Sequence, residues 1–269
     1  GFYAPSQLIA EAKRSGVSIR PVDVNFSSWD HRLEFDPDNK TGHHALRLGL
    51  RLVKGLPRGE GERIAASQAA LAGDQAHSGK MRQAFSSLDD VMRQADVSVK
   101  SLQAIANADG FSSLNIDRRQ ALWEIRGLAR HRLHDMPLFA HVGQRQEQSA
   151  GTEPAVTLPK PGLGESMLED YRSLGLSLKA HPLDLLQKPL VAAGWQMCSH
   201  LQNMPDGKRL RLAGLVTMRQ RPGTAGGTVF MTLEDGQGLA NVIIWSKLTE
   251  TYREALLRAQ ILGLVGRVQ

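Results

Sequence analysis

"VTMRQRPGTAGGTVFMTLEDGQGLANVIIW" (Val216 to Trp245) is the stretch on which the fold of the C-terminal part turns. Within it "TVFMTLED" and "LANVIIW" alternate apolar and polar residues and are joined by "GQG", the pattern of two paired strands. Upstream, "KRLRLAGLVTMRQR" alternates as well, with Leu210, Leu212 and Gly214 on one face and Arg209 and Arg211 on the other. Downstream, "SKLTETYREALLRA" has helical spacing and "QILGLVGRVQ" returns to a period of two. The predicted order is therefore β-β-β-α-β. The first connection is unusual: it carries Arg219 and Arg221 and then the flexible loop 222–227.

That order is the order of an OB-fold short of its last strand. Such barrels hold single-stranded nucleic acid by stacking bases on aromatic side chains and tracking phosphates with cations. The candidates here are Phe230 and Trp245 for stacking, with Arg209, Arg211, Arg219, Arg221 and Thr224 for the backbone. A basic, glycine-rich turn suits a polyanion. Strand aromatics more often face a core, and at least one of Phe230 and Trp245 is expected there. The loop has no Gly-Lys-Ser/Thr sequence, so it is not a nucleotide-binding P-loop. The chain opens at Gly1 without a methionine and stops inside the predicted last strand, which suggests a piece of a longer protein.

Working towards the N-terminus, "SMLEDYRSLGLSL" and "HPLDLLQKPL" read as helices, and residues 140–165 hold the Pro, Gly and Gln of a linker. Residues 85–130 are densely helical. "LQAIANADGFSSLNIDRRQALWEI" is a helix, a tight turn and a second helix, with Asp117 as N-cap and Gln120 placed for a capping box. Arg118 and Arg119 fall in the first turn of that helix, where cations oppose the helix dipole. An anion docked on the free amides would relieve this. The segment resembles a helix-hairpin-helix, with Leu114-Asn115-Ile116 in place of the usual Gly-hydrophobic-Gly turn. The competing reading is a helical corner with a solvated arginine pair. Residues 59–82 predict surface helix, "ALRLGLRLVKGLP" a half-buried strand or a short strand entering a turn, and residues 5–16 and "VSIRPVDVN" a helix–strand unit.

The chain has 269 residues, 41% hydrophobic and 22% charged, as in an ordinary globular protein. A net charge of +6 and a pI near 9.7 favour anionic partners, nucleic acid first. The single cysteine, Cys198, excludes an intrachain disulfide and fits a reducing compartment. No apolar run approaches the roughly 20 residues of a membrane span, and the sequence shows no signal-peptide pattern. Paired histidines at 43–44 and at 131 and 134 lack the cysteine or carboxylate partners of a zinc site. No nucleophile elbow and no pair of metal-binding carboxylates is evident, so no catalytic residue is assigned.

The order of "GFYAPSQLIAEAKRSGVSIRPVDVN", "ALRLGLRLVKG", the helical hairpin, "LGLSLKAHPL" and the terminal barrel resembles the C-terminal third of a bacterial DNA polymerase III alpha subunit. "RPVDVNFSSWD" and "YRSLGLSLKAHP" are closer to the error-prone paralogue of damage-induced mutagenesis. The resemblance implies a multidomain α+β chain. Residues 1–55 would be the end of the fingers, 56–140 an all-helical helix-hairpin-helix or clamp-binding-like domain, 141–207 a linker with connecting helices, and 208–269 an OB-fold β-barrel lacking its last strand. It also implies that the catalytic aspartates and their Mg2+ lie in a palm outside this chain, which holds no cofactor of its own. The implied setting is cytoplasmic DNA replication, repair and translesion synthesis. The implied contacts are to duplex backbone through Asn115, Arg118 and Arg119 and to single-stranded template through the barrel. Implied partners are primer-template DNA and an inactive Y-family-like protein. "DMPLF", with Asp135, Met136, Leu138 and Phe139, resembles a sliding-clamp peptide whose leading Gln is replaced by Asp. The alternative is a protein-interaction module that docks to such partners without touching DNA. The DNA reading rests on the cations of hairpin and barrel converging on one polyanion track.

Overall fold

A computed structural model describes residues 4–36, 44–73, 84–134 and 158–269. The fold is α+β, and the chain divides into two compact units, 1–178 and 179–269. That division falls inside the stretch read from sequence as linker and connecting helices.

Unit 1 begins with α1 (Pro5–Arg14), which has Pro at its first turn, where a missing N–H costs nothing. Three short strands follow: β1 (Ser18–Arg20), β2 (Arg32–Phe35) and β3 (His44–Arg47). β3 is central, parallel to β1 and antiparallel to β2. On the edge strand β2, Glu34 accepts from Arg20, Arg32 and Arg47. Burial opposes its ionisation, but the Arg47 and Arg32 guanidinium groups outweigh that and hold its pKa below the ordinary glutamate range. After β3 the chain enters a 3-10 turn at Leu50–Leu52, the second of the two forms the sequence allowed.

The helices are α2 (Arg58–Gly73), α3 (Leu88–Gln94), α4 (Val99–Asn107), α5 (Arg118–His134) and α6 (Leu163–Ser173). Ile64, Leu102, Ile105 and Ile125 of these helices, with Phe85 and Phe111 from the segments between them, form one core with Val22, Val24, Leu48 and Leu50. The "PVDVN" loop is the brace of this unit. Asp23 accepts from Asn25 N–H (2.8 Å), from Ser112 Oγ (2.9 Å) and from Ser113 N–H (2.9 Å). Asn25 clamps Phe85 by accepting from its N–H (2.7 Å) and donating to its carbonyl (3.0 Å). Buried polar groups paired in this way hold the α4–α5 turn to the sheet side of the unit.

Unit 2 starts with a 3-10 turn at Pro182–Leu185 and α7 (Gln187–Ala192). Its sheet comprises β4 (Arg209–Gln220), β5 (Val229–Glu234), β6 (Leu239–Ile244) and β7 (Ile261–Arg267), all antiparallel in the order β6-β5-β4-β7. Two short helices, α8 (Ser246–Thr251) and α9 (Arg253–Arg258), lie between β6 and β7. β4 changes partner along its length. Residues 209–215 pair with β7 and residues 215–220 with β5, with a register shift between Val216 and Met218. Gly214 sits at this handover, where a Cβ would come within 2.6 Å of the Leu233 Cβ, so no larger residue fits without backbone movement. One sheet face buries Leu210, Leu212, Val229, Met231, Leu233 and Ile244 against Leu256 and Cys198. Burial, followed by Asp235, pushes the Cys198 thiol up to about 12, which keeps it protonated and inert.

Candidate nucleic-acid interface

The α4–α5 turn has the geometry of a helical hairpin but not the free charge expected of it. Asn115 is exposed and left-handed, with φ of 57°. Asp117 caps α5 by accepting from Arg119 N–H (3.0 Å) and Gln120 N–H (2.9 Å). The reciprocal half of the expected capping box is missing, because the Gln120 side chain donates forward to Glu124 (2.9 Å). Arg118 is only 6% exposed; its guanidinium pairs with Asp170 and donates to the Ser166 carbonyl (2.9 Å). Its expected role as a DNA contact is therefore corrected: it ties α5 to α6. Arg119 donates to Glu165 (2.8 Å) and to the Pro159 carbonyl (2.8 Å). The cost of cations at this helix start is thus met by the protein's own acids.

The α3–α4 turn is closed in the same manner. Glu60 accepts from the Ser98 N–H (2.7 Å) at the start of α4, and Arg63 donates to the Ala95 (3.1 Å) and Asp96 (2.6 Å) carbonyls. Burial opposes the Glu60 charge, yet the Ser98 N–H and the Ser101 and Ser98 hydroxyls bring its pKa below the usual range.

In unit 2 the residues predicted for single-strand contact separate into two groups. Arg209 and Arg211 lie at the start of β4, about 30 Å of extended strand from Arg219. Arg211 is already engaged: its guanidinium lies 4.5 Å from the Trp195 ring centroid and donates to the Ala193 carbonyl (3.0 Å). Trp195 in turn covers Gly263, where a Cβ would approach within 2.6 Å. This pair holds the segment before β4 to the sheet. Arg209 is exposed at the strand start, opposite Arg267. Within unit 2, then, the predicted cations do not share one surface.

The second group does converge. Arg219 and Gln220 end β4, and the loop with Arg221 and the exposed Thr224 turns the chain into β5. Arg219 donates to the Ala259 carbonyl and stays exposed; Arg221 is exposed and makes no ion pair among the described residues. The loop lies against the β6–α8 junction. A Cβ on Gly227 would be 3.4 Å from both Arg221 Nη2 and Ser246 Cβ, and Thr249 Oγ1 donates to the Gly227 carbonyl (3.5 Å). Gly226 and Gly227 both have positive φ, the conformation that requires glycine in this turn.

Phe230 and Trp245 are 39% and 58% exposed, so neither fills the core. Phe230 faces Ile243 across the strands, and both turn away from the buried residues Val229, Met231 and Ile244. The strand period decides this: Val229, Met231 and Leu233 take the inner face, which leaves Phe230 and Thr232 outside. Sequence reasoning missed Ile243, although the alternation Asn241, Ile243, Trp245 carried the signal, and Lys247, exposed just after Trp245. Asp135, Met136, Leu138 and Phe139 lie outside the described residues. Among the described residues no group of three His, Cys, Asp or Glu could hold a metal ion, and no helix is long and apolar enough to cross a membrane.

Unit 1 sets two helical turns against a small sheet, and the family model described as "Helix-hairpin-helix motif" matches its residues 16–121. The chain's relatives narrow this. Over 269 residues it is 38% identical to the error-prone DNA polymerase of Brucella abortus biovar 1 (strain 9-941), covering 100% of this chain and 23% of the relative. It is 39% identical over 272 residues to error-prone DNA polymerase 2 of Rhizobium meliloti (strain 1021), covering 24% of that protein. A third similar relative is the error-prone DNA polymerase of Ralstonia nicotianae, 39% identical over 269 residues. The chain spans about a quarter of the length of these curated relatives. Over its whole length it is similar to the C-terminal part of the error-prone DNA polymerases.

Proposed function

We propose that this chain is the DNA-holding C-terminal portion of an error-prone, translesion-type DNA polymerase that acts in damage-induced mutagenesis. Nucleotidyl transfer and its Mg2+ would belong to the remaining three quarters of such a protein, and this portion alone would not polymerise. Unit 2 would serve as an OB-fold-like sheet for single-stranded template. Unit 1 would approach the duplex through its hairpin turns, with Asn115 outermost. The observation that carries the reading is the exposure of Phe230 and Trp245 beside the unpaired Arg221 on one loop-and-strand end. Stacking faces next to exposed cations suit a strand whose bases are unpaired and whose backbone is a polyanion.

The test is a salt titration of oligonucleotide binding with Arg219→Glu/Arg221→Glu. If both side chains neutralise phosphates, the slope of log K against log salt should become shallower by roughly 1.4, about 0.7 per contact on a single strand. The melting temperature should stay nearly unchanged, because both side chains are exposed. Unaltered affinity and slope would remove the loop from the interface.

A further inference from the structure

We propose that the stacking surface of unit 2 continues past the sheet onto the helices after β6, with Tyr252 as its outermost stacking side chain. Single-stranded nucleic acid would then occupy a longer track than the strands alone offer. This rests on the function proposed above and extends it to residues that the sheet does not contain.

Trp245, Leu248 and Tyr252 are spaced i, i+3 and i+7, which places them along one side of a helix. The helical path between them is continuous: Leu248 N–H donates to the Trp245 carbonyl (2.9 Å) and Tyr252 N–H to the Leu248 carbonyl (2.9 Å). Only Thr249 and Leu256 of α8 and α9 are buried, so these helices press little of their surface on the sheet. Leu248 is exposed, and Tyr252 is 58% exposed. Phe230 faces Ile243 across the strands, Ile243 lies two residues before Trp245 on the same outer face, and Leu248 and Tyr252 follow one helical turn apart. Five large side chains thus succeed one another from strand to helix.

The charge beside this stripe selects the occupant. Arg221 stands near its first members, and Lys247 and Arg253 neighbour Leu248 and Tyr252 in the chain; all three are exposed and form no ion pair among the described residues. Of the nearby acids, Glu250 is exposed and Glu254 is paired with Arg258 (3.5 Å). An aromatic stripe flanked by unpaired cations matches the alternation of base faces and phosphates along a single strand. An apolar helix from a protein partner would leave those cations without a counterpart.

The test compares Tyr252→Ala and Phe230→Ala on a short oligo-dT of about 4 nucleotides and a long one of about 16. Phe230→Ala should weaken both. Tyr252→Ala should leave the short oligonucleotide unaffected and weaken the long one by roughly 5- to 100-fold, the range of one lost stacking contact, while Tyr252→Phe restores binding. Loss with Phe230→Ala but none with Tyr252→Ala at either length would overturn the extension and assign the helical face to something other than DNA. An equal loss at both lengths would overturn it too, since Tyr252 would then lie within the short site. If neither variant changed binding, the proposed function itself would fall rather than its extension.

Discussion

The two units use their cations in opposite ways. In unit 1 arginines are internal parts: Arg118 with Asp170, Arg119 with Glu165, Arg47 with Glu34, Arg51 with Asp30, and Arg63 on two carbonyls. In unit 2 Arg258 and Glu254 form an exposed ion pair within one helix. The sequence agrees with this contrast. Residues 179–269 hold 11 Lys and Arg against 6 Asp and Glu, so +5 of the net +6 belongs to unit 2 and +1 to residues 1–178. A basic pI therefore says little about where an anionic partner docks. What matters is which guanidinium groups lack an internal acid, and among the described residues Arg221 and Arg253 of unit 2 are exposed ones that form no ion pair.

The largest expected effect probes the internal side of that contrast. Asp170→Ala would strand the Arg118 guanidinium in a site that water barely reaches, and losing one partner of a buried pair costs about 3–5 kcal/mol. Urea denaturation should register this as a lower midpoint for unit 1. A variant that kept its midpoint yet lost DNA affinity would break the comparison, because Arg118 would then face outward. Glu60→Ala should act more weakly, by about 1–2 kcal/mol, since it removes a charge-assisted bond to the start of α4. Its readout is faster amide exchange over Ser98–Leu102, and unchanged exchange there would show that the carboxylate does not hold the turn.

The smallest expected effect is set by pH and concerns both units. His31 Nδ1 accepts from Gly49 N–H (2.9 Å) and His181 Nδ1 from Leu183 N–H (3.2 Å). Burial, the leading cause, lowers both pKa values below the ordinary histidine range. The unfolded chain, with histidine near pKa 6.5, takes up protons first as pH falls. Stability should therefore be level above about pH 6.5, decline below it, and flatten once the folded imidazoles also protonate. His31→Gln with His181→Gln should blunt that decline in thermal melts at pH 7.5 and 5.5. A wild-type melting temperature that held level across the same interval would mean that neither imidazole is kept neutral.

Much of this was legible beforehand because it is local. The period-two alternation from Arg209 to Ile244 placed β4, β5 and β6, and the dense helical pattern of residues 85–130, with Asp117 as N-cap, placed α3, α4 and α5. β2 was not foreseen: "RLEF" is four residues long, and it pairs through Arg47 and Leu46 more than through any pattern of its own. The fate of Arg118 was equally hidden, because Asp170 lies 52 residues away, in a separate helix beyond the linker. Phe230 and Trp245 went the other way. Their positions were visible, but their facing depended on which of two alternating sets the core would claim, and the core took Val229, Met231 and Ile244.

The handover along β4 also bears on how unit 2 is made. Arg209–Leu215 bonds to Leu215's partner strand Ile261–Arg267, some fifty residues later, whereas β5 and β6 meet across a four-residue connection. During synthesis the β5–β6 ribbon can close at once, but half of β4 must wait for the last strand to emerge, with its amides and carbonyls meanwhile open to other chains. Non-local pairing of this kind slows folding. Translation speed between β5 and β7 would then govern how much of the newborn unit reaches its proper shape before clumping.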